Sequence, residues 1–301
     1  MSARDGRPLV INAGPGTEMT SFYRARAFQS DERLEVALCR PDQHLGSPPS
    51  GFAGAGRMNA RGISVFYGAN EARVAIAEVR PPVGSQVAVA RFEITRPLRL
   101  LDLTALSDVA EGGSVFDPAL ASRLERAMFL RSLSQRITRP VMPDDEAFEY
   151  LPTQAIADFL ATESEPPLDG IVFPSVQAAG DVLNVVLFHK AARVEGIEVP
   201  AGTEIEARTG QMYEEGWETE YVVTEQVPPA QPPAESASSR EGWPDIGSMT
   251  DPWALSDPGH REPALRIDLE SIRVHQVRRV EFETIEYEVR RHRWERREPD
   301  F

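Results

Sequence analysis

The sequence is poor in the residues from which disulfides, metal sites and nucleic-acid surfaces are built. Its 301 residues include one cysteine, Cys39, so no disulfide can form within the chain. The five histidines are scattered and show no HExxH spacing, and we therefore predict no metal site. Lysine occurs once, at Lys190, and acidic residues outnumber basic ones by 47 to 32. The resulting net charge of -15 repels polyanions, so we expect no direct binding to nucleic acid.

Long apolar runs are also missing. No apolar stretch reaches the roughly 18 residues that a membrane-spanning helix requires, so we predict no contact with a membrane. The opening residues MSARDGRPLVINAGPG lack the basic start and the apolar run of a secretory signal, and we expect a cytoplasmic protein. With 41% hydrophobic residues, the chain can nevertheless bury one sizeable core and a smaller second one.

Composition divides the chain into three parts. Residues 1–15 are predicted to be a lead-in, residues 16–196 the main domain, and residues 197–301 an acidic C-terminal extension. Within the extension, the segment 228–263 is crowded with proline, serine and glycine, which is typical of a linker or of a long ordered excursion. The later run LRIDLESIRVHQVRRVEFETIEYEV alternates well enough to predict two β-segments. We expect the extension to pack on the main domain as an appendage.

Periodic apolar residues predict a mixture of strands and helices in the main domain. Asn70 is placed to cap one helix, and Asp117 followed by Pro118 is a typical start for the longest one. Two apolar runs separated by Pro97 predict either a hairpin or a pair of core strands. The apolar residues at helical spacing in the longest helix are Leu120, Leu124, Met128 and Phe129. The predicted strands are 63–67, 86–94, 98–103, 171–175 and 182–189, the predicted helices are 71–79, 117–137 and a segment from 152 to the break at Pro166, and 41–56 is predicted to be a loop.

One segment, GRMNARGISVFYGANEARVAIAEV at residues 56–79, joins a glycine-containing loop, a strand and a helix. Its start superficially resembles a phosphate-binding loop, but the third glycine is absent and the loop precedes a strand, which excludes a Rossmann fold. Glycines before Arg57 leave room for its guanidinium to hold an anionic ligand. Glu78 lies on a largely apolar helix face, where a carboxylate either reaches solvent or meets a partner, and Arg57 is a candidate partner.

Each of these residues also has a purely structural interpretation. An arginine such as Arg57 is in most proteins a surface ion-pair partner. Tyr67, taken alone, is better explained as a core aromatic at the end of an apolar strand, and Ser175 after Pro174 as an ordinary turn residue. The residues therefore carry information mainly through the pattern that they form together.

The order and spacing of these residues resemble the RES family, which is named for its arginine, glutamate and serine. The pattern GR-x-N-x-x-G-x-x-x-x-Y followed by A-x-x-E-V contains Arg57, Tyr67 and Glu78. The run YLPTQAIADF followed by DGIVFPS resembles the family's helix and serine-bearing strand, with Ser175 in the serine position. Near the start, Arg24 is similar to an arginine found early in many family members.

The resemblance covers roughly residues 20 to 195 and implies a fold related to the ADP-ribosyltransferase toxins. With the extension, the expected fold class is α+β, with a mixed β core, flanking helices and a β-containing C-terminal part. The resemblance further implies that the protein degrades NAD by cleaving the nicotinamide–ribose bond, with water or phosphate as acceptor. NAD is then the substrate, and no cofactor is expected.

The resemblance also implies roles for the four motif residues. Arg57 would grip phosphate or ribose oxygens, and Tyr67 would stack against nicotinamide or cover it. Glu78 would accept a hydrogen bond from a ribose hydroxyl and stabilise the ribosyl cation that forms when the bond breaks. Ser175 would hydrogen-bond the nicotinamide amide or a ribose oxygen. The two residues assigned to NAD binding are Arg24, as a phosphate contact, and Asn59, which we expect to fix the loop through its side chain.

Partners and alternative functions follow from the same resemblance. Many compact family members pair with a helix-turn-helix antitoxin, which is therefore a candidate partner, and a homo-oligomer is left open. The acidic extension, which compact members lack, could occupy, regulate or replace the antitoxin contact. Two other functions would use the same pocket: transfer of ADP-ribose to a macromolecule, or nucleotide binding without catalysis in an interaction module.

Overall fold

A mixed sheet forms the centre of the protein. The computed structural model describes residues 3–109, 118, 120–139, 141–175, 177, 182–229, 261–281 and 283–294. The strands in these residues are β1 (Val10–Ala13), β2 (Ser21–Phe28), β3 (Phe66–Ala69), β4 (Gln86–Ile94), β5 (Leu98–Asp102), β6 (Gly170–Pro174), β7 (Leu183–Leu187), β8 (Glu204–Tyr213), β9 (Gly216–Gln226) and β10 (Leu265–Gln276). The α-helices are α1 (Asp31–Cys39), α2 (Pro41–His44), α3 (Ala72–Glu78), α4 (Leu103–Ser107), α5 (Leu120–Thr138) and α6 (Glu146–Thr162), and short 3₁₀ turns lie at Ser50–Phe52, Pro143–Asp145 and His189–Ala191.

Eight of the strands form one sheet in the order β1-β5-β6-β7-β3-β2-β4-β10. Neighbouring strands are antiparallel except β5 and β6, which are parallel. β8 and β9 form a separate antiparallel hairpin. A large mixed sheet with flanking helices confirms the predicted α+β class.

Three clusters of buried side chains hold the helices on the sheet. The first contains Phe66 and Phe92, whose rings meet edge to face with centroids 5.0 Å apart, and it packs α1 on the sheet. The second includes Ile137 and Ile171 and packs α4, α5 and α6. The third, around Val74, packs α3 against β2 and β4. The described residues place α3, α5 and α6 near β3, β6 and β7, where the candidate site lies.

The N-terminal lead-in contains a strand that the sequence did not predict. β1 pairs with β5, with Val10 opposite Leu101. Its four residues are too few to show a periodic pattern, and β5, its partner, comes almost 90 residues later in the chain. Part of residues 1–15 therefore belongs to the edge of the central sheet.

The C-terminal extension also contributes to the central sheet. In place of two predicted β-segments, the described residues of this run contain one strand, β10, which pairs with β4 and is irregular between Asp268 and Arg273. Leu265 and Ile267 are buried in the core, so an appendage is the wrong description of this strand. The predicted β content of the extension is confirmed, but the β8–β9 hairpin was missed. Most of the proline-rich segment, residues 230–260, lies outside the described residues.

The structure decides between two alternatives for β4 and β5 and corrects the predicted cap of α3. β4 and β5 are a pair of core strands and not a hairpin, because four other strands, β2, β3, β7 and β6, lie between them in the sheet. The N-cap of α3 is Glu71, not Asn70. The Asn70 side chain instead accepts a hydrogen bond from the Leu183 amide at 3.0 Å and so ties β3 to the start of β7. The predicted loop 41–56 contains the short helix α2 and a 3₁₀ turn.

The two longest helices differ from their predictions in bounds, and α5 differs also in its buried face. α5 begins at Leu120, and its predicted cap, Asp117, lies outside the described residues. The predicted apolar face of α5 is wrong, because Leu124, Met128 and Phe129 are exposed whereas Ala127, Leu133 and Ile137 are buried. α6 begins at Glu146, so that Pro152 lies inside the helix. Among the described residues, none of the helices combines the length and hydrophobicity that a bilayer crossing requires.

Candidate active site

Asn59 organises the loop that carries Arg57. The buried Asn59 amide donates hydrogen bonds to the carbonyl oxygens of Gly54 at 2.8 Å and Ile63 at 2.9 Å. Gly56 and Asn59 also pair through their backbones. Satisfying these carbonyls fixes the loop in one conformation. The geometry agrees with the prediction that Asn59 acts on the loop.

Tyr67 closes the other side of this loop from strand β3. Its hydroxyl donates to Asn59 Oδ1 at 2.9 Å and accepts from the Met58 amide at 3.1 Å. Burial raises the pKa of Tyr67 to about 12, so the hydroxyl stays protonated at neutral pH. The polar tip of Tyr67 is thus committed to the loop, and its ring is the part that lines the cavities described below.

Helix α6 holds the Arg57 loop from a third direction. The Thr153 hydroxyl donates to the Arg57 carbonyl oxygen at 2.6 Å, and the Gln154 side chain donates to the Gly56 carbonyl oxygen at 2.9 Å. One turn earlier, the Tyr150 ring lies 5.4 Å from the Arg57 guanidinium carbon, within cation–π range. Because residues three and four apart share a helix face, one face of α6 contacts both the backbone and the side chain of Arg57.

The Arg57 guanidinium is anchored at the C-terminal end of α5. One of its nitrogens, Nη1, donates to the carbonyl oxygens of Ile137 and Arg139, each at 2.6 Å. Carbonyl oxygens at a helix C-terminus lack partners within the helix and carry partial negative charge, so they stabilise a cation there. Both of these hydrogen bonds start from Nη1.

Glu78, the last residue of α3, is fixed through one of its two carboxylate oxygens. Oε1 accepts hydrogen bonds from the Ser175 hydroxyl and from the Asn184 side-chain amide, both at 2.7 Å. Among the described residues, neither a hydrogen bond nor an ion pair joins Glu78 to Arg57, so the prediction of that pairing is wrong. The two arrive from opposite sides of the site: Arg57 is held by α5 and α6, and Glu78 by the strands β6 and β7.

Arg24 reaches the site from strand β2. Its Nη1 donates to the Tyr67 carbonyl oxygen at 3.0 Å, and its guanidinium carbon lies 5.2 Å from the centroid of the Phe66 ring. Burial, with a smaller contribution from the nearby charge of Arg26, lowers the pKa of Arg24 to about 10. Arg24 therefore remains positively charged at neutral pH.

Two cavities meet at the Glu78 carboxylate. The larger one, of about 350 Å³, is lined by Arg57, Arg80 and Tyr150 among others. The smaller one, of about 200 Å³, is lined by Arg24. The residues that line both cavities are Tyr67, Glu78, Phe173 and Asn184. Glu78 thus lies where a ligand that extends from one cavity into the other would pass.

Several residues of this site were not predicted from the sequence. Asn184 is the single polar residue in the apolar run VLNVVLF. Because a buried amide requires hydrogen-bond partners, this position could have been singled out from the sequence. Its Oδ1 is buried and has no hydrogen-bond partner within the described part of the chain. Tyr150, Thr153 and Gln154 lie at helical spacing in the quoted run YLPTQ, but only the fold shows that they face Arg57. In the described residues, no group of three or more His, Cys, Asp or Glu side chains is placed to bind a metal ion.

The protein thus has an α+β fold with arginines and a fixed carboxylate around one cleft, and such groups are suited to a polar, anionic ligand. A comparison with family models places this chain among known proteins. The RES domain model matches residues 23–209, which is more than half of the 301 residues. The chain therefore belongs to the RES domain family, which is linked in general to NAD-related toxin activity. No curated protein and no solved structure matches the chain.

Proposed function

We propose that the protein degrades NAD by cleaving the bond between nicotinamide and ribose, with water or inorganic phosphate as acceptor. Membership of the RES domain family supports NAD as the substrate. The observation that carries the proposal is the Glu78 carboxylate: Ser175 and Asn184 hold its Oε1 at the junction of two cavities that also contain Arg57, Arg24 and Tyr67. A fixed negative charge at such a junction is suited to a reaction that develops positive charge on a sugar.

The reaction needs no cofactor. The C–N glycosidic bond breaks, its electron pair leaves with nicotinamide as a neutral molecule, and the ribose carbon becomes positively charged in the transition state. An oxygen of water or phosphate then bonds to that carbon, and an attacking water molecule releases one proton to solvent. Glu78 lowers the barrier by stabilising the positive charge and by accepting a hydrogen bond from a ribose hydroxyl.

The other residues divide between binding substrate and orienting Glu78. Arg57 and Arg24, one in each cavity, offer guanidinium N–H groups to phosphate or ribose oxygens, and the Tyr67 ring offers a flat wall to nicotinamide. The Ser175 hydroxyl already donates its hydrogen bond to Glu78, so we assign Ser175 mainly to orienting the carboxylate. This refines the role implied by family resemblance, in which the serine contacts the substrate directly.

Depletion of NAD would arrest growth, and we therefore propose a toxin-like or defence role. An antitoxin of helix-turn-helix type is the partner that this role implies, with the two cavities as the region it would cover. Transfer of ADP-ribose to a macromolecule would use the same site with a different acceptor, and a non-catalytic nucleotide-binding module would retain the cavities without the reaction.

The proposal is tested by incubating the purified full chain with adenine-labelled NAD, with and without phosphate, and separating the products. We expect free nicotinamide, with the label on ADP-ribose or its phosphorylated form. Glu78→Gln keeps the size of the side chain but removes its charge, and we expect it to lower kcat by about 100-fold or more. Label on macromolecules would instead indicate a transferase, and binding of NAD without release of nicotinamide would indicate the non-catalytic module.

Glu71→Gln is the matched control for Glu78→Gln. Glu71 lies at the other end of α3, where its carboxylate pairs with the exposed Arg73 at 2.6 Å, outside both cavities. We expect this control to retain wild-type activity. Equal activity in Glu78→Gln and wild type would contradict the proposed site.

A further inference from the structure

Arg80 has an unusual backbone conformation directly after the glutamate-bearing helix. Its φ is 44°, and it is the one non-glycine residue with positive φ among those described. α3 ends at Glu78, Val79 is its C-cap, and the Arg80 amide donates to the Ala77 carbonyl oxygen at 3.1 Å. Helices commonly end with glycine in this left-handed position, because a Cβ atom there costs free energy. A non-glycine residue in such a conformation points to a role for its side chain.

Among the described residues, the charge of Arg80 has no partner. In the described part of the chain, no side chain forms a hydrogen bond or an ion pair with its guanidinium, whereas Arg73 on the same helix pairs with Glu71. Arg80 is exposed, and it lines the larger cavity together with Arg57 and Glu78. An unpaired guanidinium beside a cavity is available to an anionic ligand.

The larger cavity needs a second cation if it binds a diphosphate. One nitrogen of Arg57 is already committed to the carbonyl oxygens of α5, and Arg24 lines the other cavity. The acidic residues of the larger cavity, Glu78 and Glu146, would repel phosphate oxygens, as would the net charge of -15 on the whole chain. Arg57 alone is therefore a weak site for two linked phosphate groups.

We propose that Arg80 is a specificity-determining residue that binds the pyrophosphate of a dinucleotide in the larger cavity, together with Arg57. This inference rests on the proposed function for the identity of the ligand. The planar guanidinium of each arginine can donate two parallel hydrogen bonds to phosphate oxygens. Because Arg80 follows Glu78 by two residues, the phosphate contact lies next to the carboxylate that faces the sugar.

The test measures ligand binding and chain stability in the same variants. The probe is ADP-ribose, titrated by calorimetry into the full chain carrying Arg80→Gly, Arg80→Ala or Arg80→Lys. We expect Arg80→Gly and Arg80→Ala to raise Kd for ADP-ribose about tenfold and to raise KM for NAD similarly, with kcat changed less than about threefold. Arg80→Lys should restore part of the affinity, since it keeps the charge but not the fork.

Arg80→Gly also separates binding from structure, because glycine relieves the left-handed strain. We expect its melting temperature to equal or exceed that of the wild type while its affinity falls. A role confined to structure would lower the melting temperature and leave Kd unchanged. Arg61→Ala is the matched control, because Arg61 is exposed, carries the same charge and lines neither cavity. It should bind ADP-ribose as the wild type does.

The outcomes distinguish this inference from the proposed function. Unchanged Kd for ADP-ribose in Arg80→Gly and Arg80→Ala overturns the role of Arg80, even if the wild type releases nicotinamide from NAD. An equal loss of affinity in Arg61→Ala also overturns it, because the effect would then come from overall charge. If the Arg80 variants bind ADP-ribose more weakly, the phosphate contact is supported. If the wild type also releases no nicotinamide from NAD, the NAD-cleaving function is contradicted while the phosphate contact stands.

Discussion

Gly56 determines how closely the Arg57 loop approaches strand β3. A Cβ atom at Gly56 would lie 2.6 Å from both Asn59 Oδ1 and the Tyr67 hydroxyl oxygen. These two atoms hydrogen-bond to each other, so neither can move aside without breaking the network that fixes the loop. The glycine is thus required by close contact, and its backbone φ is not in the positive range.

We therefore predict that Gly56→Ala destabilises the protein by about 1–3 kcal/mol and lowers NAD cleavage, because Arg57 follows directly in the chain. Gly54→Ala is the matched control, since a Cβ atom at Gly54 would meet nothing within 4 Å. Chemical denaturation and NAD turnover measured on both variants check the prediction. Equal stability of the two variants would show that the loop adjusts to the added methyl group.

At the level of single residues, the sequence was most informative where the site is contiguous. Arg57, Tyr67 and Glu78 lie within one segment of loop, strand and helix, so a family pattern could identify them together. The partners of Glu78 could not be assigned in this way. Asn184 lies 106 residues further along the chain, and only the pairing of β3 with β7 brings it to the carboxylate. The partner predicted for Glu78 was wrong for the same reason.

Among the elements, helix α5 shows how an apolar pattern can predict the helix and miss its buried face. Apolar residues occur on more than one side of α5, and their spacing alone does not say which side meets the sheet. The structure buries Ile137 completely and leaves Phe129 65% exposed. The buried side also presents the carbonyl oxygen of Ile137 to Arg57.

We predict that Ile137→Ala destabilises the protein by about 2–5 kcal/mol, because it removes buried apolar volume and leaves a cavity. Phe129→Ala should change the free energy of unfolding by less than about 0.5 kcal/mol, since most of that ring is already in contact with solvent. Urea denaturation monitored by circular dichroism measures both values. A larger loss of unfolding free energy for Phe129→Ala than for Ile137→Ala would instead support the buried face of α5 that the sequence predicted.

For the strands, as for α5, the sequence predicted the segments better than it predicted their neighbours in the fold. β4 was predicted with its observed bounds because the apolar run 87–90 continues into the alternating residues Phe92 and Ile94, between turn residues. β1 was missed and β10 was placed in an appendage because both are edge strands, paired with partners far away in sequence. Local patterns identify the segments, whereas their neighbours in the sheet depend on the whole fold.

For the whole molecule, β10 changes how the extension is interpreted. The RES domain match ends at residue 209, yet β10 lies beyond it and forms one edge of the same sheet. Arg91 of β4 binds Asp268 of β10 at 2.6 Å, and this pairing lowers the pKa of the Asp268 carboxyl. A simple truncation near residue 196 therefore cannot test whether the extension regulates the active site, because it also removes a strand of the core.

We predict that truncation after residue 229, which removes β10, yields a chain that aggregates or melts at a much lower temperature. It would remove Leu265 and Ile267 from the core and expose β4, a long and largely buried strand, as a new edge. Truncation after residue 281 keeps β10 and its contacts and removes the exposed residues 283–294, so it should retain the wild-type melting temperature and NAD turnover. Thermal unfolding and size-exclusion chromatography compare the two chains. If the chain truncated after residue 229 were monodisperse and as stable as the wild type, the sheet would be complete without β10. The prediction would then be contradicted, and the extension could be tested for regulation without an effect on folding.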